Sequence, residues 1–412
     1  MRKIFTALFV GFLMINFGVY AYNSFHIFGN YDFKGKGYLE KTRYFIAETD
    51  RRITDQTPLK DNYVSLNGLF QRCIGKDIIE DTDPTYTIYK LTNGQLSFAY
   101  DEMDVSTAIK NTTDFNDFCK ENGVDFLFFM EPYKVNKYNN ELPSGYADGA
   151  NKSGDAFLSG LDKSGVNFVD YREIAKENLT LHDERYYKQD STQYGSLFFN
   201  GDHHWKEETA FNAYIYLMDY LKNKDGLELS SDYTDIKNFD TTTYKDSFIG
   251  SQYSRINGLY ADALDDFTVI KPLKTENTFT HEIYNGKGKL REDKVRTGDF
   301  ENSVLYSENL KDIKTARRGR DNYYLGHNPA LDVITNDSVP DNEILIIEDS
   351  FARPISALSS LNFHKVHIMD LRHYQKSVKD YLKENPQIKT VVVCYPPTCF
   401  KESTYKKQFD FK

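Results

Sequence analysis

"EILIIEDSFARPISALSSL", Glu343 to Leu361, decides how this chain is read. Its first part is a short apolar run with a β-branched bias, which reads as a strand buried on both faces. Its last part carries apolar residues at helical spacing. Asp349, Ser350 and Phe351 fall at the turn between them. A serine at a strand-to-helix turn holds its hydroxyl at the carboxyl edge of the sheet. The N–H groups of the helix start lie beside it and are placed to hold a developing oxyanion. That is the logic of a nucleophile elbow. The plainer reading is a helix N-cap, a position that favours Ser and Asp. A second Asp-Ser-Phe, Asp246 to Phe248, follows the polar "TTTYK" and reads as loop.

The strand–helix rhythm extends in both directions. After Leu361 come "KVHIMD" as strand, "YQKSVKDYLKEN" as helix, "TVVVCY" as strand and a last short helix. Upstream, "VSTAIKNTTDFNDFCKENG" reads as a helix stopped by Gly123, and "VDFLFFMEP" as a buried strand. "DAFLSGLDKSG", "VNFVD" and "YREIAKEN" continue as helix, strand and helix. Lys206 to Lys224 form a long amphipathic helix. Strands alternating with helices predict an α/β fold, a parallel sheet covered on both faces. Ligands of such sheets sit at the carboxyl ends of the strands. Residues 225 to 340 lose the rhythm and read as an irregular, partly β insertion.

The chain's only tryptophan, Trp205, stands in "NGDHHWKEET". Asp202 and His204 lie two apart just before a helix. In an extended segment they point the same way, so Asp202 can orient the His204 imidazole as the third member of a triad does. His203 is then expected to point elsewhere. Two other readings use the same residues. Asp202, His203 and His204 are all metal-ligand types, but HExxH is missing and no second His-x-His cluster completes a set. Asp202 is also a helix-capping type. No metal and no cofactor are expected.

With 412 residues, 40% hydrophobic and 27% charged, the chain is long enough for two or so domains. A net charge of -10 argues against nucleic acid, which needs a basic face. The 31 Tyr and 30 Phe suit an aromatic core or tyrosines lining a sugar groove. Cys73, Cys119, Cys394 and Cys399 form no CxxC pair, and no cysteine chemistry is expected.

Arg2 and Lys3 precede an uncharged run, Ile4 to Tyr22. It is long enough for a membrane helix, and "VYA" fits a signal-peptidase site. The expected organisation is a signal peptide or membrane anchor at 1–22, an accessory region at 23–103 and a catalytic domain at 104–412. The positive flank places the rest outside the cytoplasmic membrane.

Asp202 to Trp205 before a helix, followed later by Asp349 to Phe351, resemble the DHHW family. That group is similar to alginate O-acetyltransferase-like members of the SGNH hydrolase superfamily. "FLFFMEPYKVNKYNNELP" is similar to the family's early strand and its Pro-x-Lys element, here Pro132 and Lys134. "DLRHY" and "VVVCY" resemble later strands. The resemblance implies an SGNH-like fold and a serine acyl-enzyme. Ser350 is then the nucleophile, His204 the base and Asp202 the orienting carboxylate. It also implies an oxyanion site with Arg372 and Tyr395, and Phe351 is grouped with them as an oxyanion or substrate contact. A polysaccharide substrate and a membrane-bound O-acyltransferase partner follow from the same resemblance. The alternatives are an exported carbohydrate acetylesterase and a non-catalytic polysaccharide-binding protein.

Overall fold

The structure is a computed structural model. It describes residues 60–81, 84–178, 194–224, 227–256, 264–273, 277–310, 322–401 and 405–412, with single positions elsewhere. The segment read as signal or anchor lies outside the described residues, apart from isolated positions. Among the described residues no helix is long and apolar enough to cross a membrane.

The chain divides into two compact units. The first holds Met1–Gly75 with Arg255–Tyr260; its regular element is helix α1 (Lys60–Cys73). The second holds Lys76–Ser254 and Ala261–Lys412 and contains the whole of the Asp-His and Asp-Ser-Phe stretches.

The second unit is built on an eight-stranded sheet. Its parallel part comprises, in spatial order, β5 (Phe168–Asp170), β4 (Asp125–Met130), β13 (Ile388–Tyr395), β11 (Glu343–Glu348) and β12 (Lys365–Met369). Here the apolar runs lie buried on both faces, as continuous Ile, Val and Phe stretches require. Alternate residues feed two cores. Leu127, Phe129, Ile344, Ile346 and Val392 pack with helices α5 (Glu207–Lys224) and α6 (Arg353–Ser359). Phe126, Phe128, Leu345, Ile347 and Val391 pack with α2 (Ser106–Glu121), α3 (Gly149–Lys163) and α7 (Val378–Glu384). Helix α4 (Tyr171–Asn178) follows β5 directly. Gly123, at φ 66°, lets the chain leave α2 and turn into β4.

The region read as an insertion supplies strands of two kinds. Strands β6 (Phe239–Phe248) and β7 (Asp265–Pro272) form a separate antiparallel ribbon. Strands β8 (Phe279–Tyr284), β9 (Arg296–Gly298) and β10 (Leu331–Asn336) extend the central sheet by antiparallel pairing. The full order is β5-β4-β13-β11-β12-β10-β8-β9. The sheet is therefore mixed rather than wholly parallel. The reason is visible in β8, where Phe279, His281 and Ile283 are buried and their neighbours are not. Such one-sided alternation belongs to antiparallel edges. A small three-stranded sheet, β1 (Ile78–Ile79), β2 (Ile88–Lys90) and β3 (Leu96–Ser97), precedes α2.

Candidate active site

The end of β11 and the approach to α5 meet at the carboxyl edge of the sheet. Helix α6 begins at Arg353, so Ser350 lies before its N-cap, Ala352, and is not the cap itself. Its Oγ sits 2.8 Å from Nε2 of His204. Nδ1 of His204 lies 2.6 Å from Oδ1 of Asp202. Serine, imidazole and carboxylate thus form one hydrogen-bonded line, drawn from positions 146 residues apart. His204 and Asp202 are buried, while Ser350 stays partly open. Burial works against the charge on Asp202. The two neighbouring histidines and the hydrogen bonds from His204 outweigh it and hold the carboxyl well below the usual carboxylate range.

The loop carrying the histidine is bent rather than extended. Oδ1 of Asp202 also accepts the backbone N–H of His204 at 2.9 Å, which curls the chain around the carboxylate. This overturns the expectation for His203. Its ring lies 3.9 Å from that of His204, and its Nδ1 sits 2.8 Å from Ser251 Oγ and 3.4 Å from Asp202 Oδ1. Burial and the adjacent His204 push His203 below the ordinary imidazole value, against the pull of Asp202. Ligand atoms of Asp202, His203 and His204 lie within 4.8 Å of one another. Both ring nitrogens of His204 face partners, Asp202 on one side and Ser350 on the other, which is the arrangement of a proton relay. Helix capping by Asp202 is set aside by distance along the chain, because α5 starts at Glu207.

Trp205 serves the site through a hydrogen bond. Its Nε1 donates to the backbone carbonyl of Phe351 at 3.0 Å, tying the histidine loop to the residue after Ser350. Phe351 in turn packs its ring 4.8 Å from the His204 ring. The N–H of Phe351 donates to Oδ1 of Asp349 at 3.0 Å, so this residue braces the turn with both backbone groups.

Several further groups support the loop, and of these only Lys134 carries a signal in the sequence, through the Pro-x-Lys resemblance. Oδ1 and Oδ2 of Asp265 accept the N–H groups of Asn200 and Gly201 at 2.7 and 2.8 Å. The N–H of Ser251 donates to Oδ2 of Asp202 at 2.6 Å. Lys134, of the Pro-x-Lys element, is fully buried; its Nζ donates to the carbonyls of Leu96 (2.7 Å) and Asp202. Burial pulls its ammonium down to about 8, against nearby Asp265 and Asp202. Two glycines permit the packing. A Cβ on Gly201 would meet the Tyr253 ring at 2.0 Å, and one on Gly250 would meet Asp202 Cβ at 2.2 Å. No local spacing announces Asp265, Ser251 or the two glycines.

The residues expected at an oxyanion site are placed less directly. Arg372 clasps Asp370 through Nε and NH2 at 2.9 and 2.6 Å. It lies in electrostatic reach of Asp349 and Tyr395. Tyr395 is wholly buried, its ring packed edge-on against Phe128 and Phe409, and its hydroxyl has no hydrogen-bond partner among the described residues. Neither side chain bonds to Ser350 or His204. Ser247, in the second Asp-Ser-Phe, is no loop residue. It sits at an irregularity of β6 and donates to the carbonyl of Tyr244 at 2.7 Å. All four cysteines are unpaired.

Residues 95–246 match the family model described as the SGNH hydrolase-like domain of the acetyltransferase AlgX. The match contains Asp202 and His204 and ends before Ser350. No curated protein matches the chain. A DHHW family protein from Eubacterium siraeum shares the fold at a TM-score of 0.59, 17% identity, 81% of this chain and 96% of its own. Bacillus cereus PatB1 does so at 0.59 and 20% identity, over 81% of this chain and 100% of its own. The same protein with a sulfonyl adduct gives 0.60, at 20% identity over 81% and 98%.

Proposed function

We propose that this chain, which carries an SGNH hydrolase-like domain of the AlgX acetyltransferase type, is an exported serine O-acetyltransferase acting on a cell-envelope or secreted polysaccharide. The observation that carries the reading is the line Asp202–His204–Ser350, with spacings of 2.6 and 2.8 Å.

In the proposed cycle His204 Nε2 takes the proton of Ser350 as Oγ attacks the acetyl carbonyl of the donor. Asp202 fixes the tautomer through Nδ1 and stabilises the imidazolium. His204 returns the proton to the leaving oxygen, leaving acetyl-Ser350. A sugar hydroxyl then gives its proton to His204 as its oxygen attacks the acetyl carbonyl, and the acyl–Oγ bond breaks as His204 passes that proton to Ser350 Oγ, restoring the hydroxyl and the neutral imidazole. The sheet-edge turn of Ser350 suits oxyanion binding, and the Arg372 guanidinium, ion-paired with Asp370, lies in electrostatic reach of Asp349 at that edge. Export rests on the charged and apolar pattern of residues 2–22. The donor would be brought by a membrane-bound O-acyltransferase, a partner suggested by the resemblance to alginate acetyltransferases.

The test is turnover of a chromogenic acetyl ester with and without oligosaccharide acceptors. Acetylated saccharide formed only by chains with an intact Ser350 supports transfer. Ester hydrolysis unaffected by any acceptor favours an acetylesterase.

A further inference from the structure

The second unit holds a cavity of about 480 Å³, within the range of roughly 300–1,000 Å³ typical of small-ligand sites. Its walls come from the segment after β3, the loop before α3 with the start of that helix, and the chain after β13, together with Tyr89 of β2 and Thr85 in the turn before it. Phe98, just before the first wall, packs its ring 6.2 Å from that of His203, and Tyr100 lines the cavity two residues on. The third wall ends in Lys401, shortly after β13. Tyr100 and Lys401 both act electrostatically on Asp349, the neighbour of Ser350. Because β13 runs parallel beside β11, with Cys394 opposite Glu348, the chain leading from β13 to Lys401 leaves the sheet at the edge where the serine stands.

Its chemistry is that of a saccharide site. Tyr89 and Tyr146 meet edge-on with centroids 4.8 Å apart, and Tyr146 is 41% exposed at the rim. Such rings offer flat apolar faces with polar tips. Asp101 and Glu102 supply exposed carboxylate acceptors for hydroxyls. Lys152 and Lys401 oppose them, so the wall has no single sign of charge to draw in a polyanion.

We propose that this tyrosine-lined cavity is the acceptor subsite, holding an uncharged oligosaccharide segment whose free hydroxyl reaches acetyl-Ser350. The inference rests on the acetyltransferase reading, and its test separates the two. The full chain, its Ser350→Ala variant and its Tyr89→Ala and Tyr146→Ala variants are applied to an array of uncharged, amino and uronic-acid oligosaccharides. The thermal midpoint of each variant is recorded as a folding control. The expected result is retention of an uncharged glycan by wild type and Ser350→Ala, weakened at least fivefold by Tyr146→Ala. If Tyr146→Ala misfolds, Tyr89→Ala carries the comparison. Failure to retain any glycan, preference for uronic acids, or retention untouched by both tyrosine changes overturns the subsite. Fluorophosphonate labelling of Ser350 in the wild-type chain reads the underlying reaction separately. Labelling without glycan retention defeats the cavity alone, while glycan retention without labelling defeats the acetyltransferase and leaves a binding site.

Discussion

Trp205 donates its indole N–H to the carbonyl of Phe351 across 3.0 Å, joining the residue after His204 to the residue after Ser350. Two loops far apart in the chain are thereby held in register, and the imidazole and hydroxyl meet as a consequence. Trp205→Phe keeps most of the ring and removes the donor, leaving a buried carbonyl without its partner. We expect a loss of about 1–3 kcal/mol in denaturant unfolding, as for other buried unsatisfied groups. Turnover should fall as well, and full turnover in a destabilised variant would detach the indole from the site.

His204→Ala should cost on the order of 10²–10⁴-fold in kcat/KM, and Ser350→Ala, which removes the nucleophile, at least as much. The double variant should lose little more than the worse single one, because the two act as a unit. Kinetics of all three variants with a chromogenic ester check this. Losses that multiply would mean the residues work independently.

Asp202→Asn tests the charge of the carboxylate. The folded-state pKa of Asp202 lies well below the ordinary value, so its charge stabilises the fold above the unfolded pKa of about 3.9. That contribution fades as pH falls below this value towards the folded pKa. The stability gap between wild type and Asp202→Asn should be widest above about pH 5 and narrow below about pH 4. Urea midpoints measured from neutral pH down to about pH 2 read it, and a gap that widens on acidification would contradict the assignment.

Gly250→Ala probes the fit behind the carboxylate. The new Cβ would stand 2.2 Å from Asp202 Cβ and 2.5 Å from its Cα, so the loop has to move. A displacement near 1 Å at a catalytic group costs about 10²-fold in rate. Activity should drop by about that factor, and a crystal structure of the variant should show Asp202 shifted.

The strand–turn–helix around Ser350 and the Asp-x-His before α5 are legible because both signals are local. Apolar periodicity fixes where a strand ends, and the residue at that end inherits the sheet edge. What depends on distant partners is not legible. Asp265 reaches the loop through backbone N–H groups, which leave no trace in side-chain spacing. His203 departs from its expected direction because the two-residue rule needs an extended backbone, whereas Asp202 bends it by accepting the N–H of His204. Tyr395 shows the limit of strand reading. Neighbours on β13 alternate faces, so Cys394 turns to the Trp205 side and Tyr395 to the opposite core. The antiparallel part of the sheet is hidden for a related reason, since β8 alternates buried and half-buried residues and pairs with β10 across a long intervening stretch of chain.

The most direct measurement is reaction of the full chain with a fluorophosphonate, followed by peptide mass spectrometry, in wild type and in His204→Ala. The account predicts one adduct, on Ser350, formed far more slowly when His204 is absent. No adduct on Ser350, or one formed at the same rate without the imidazole, would contradict it.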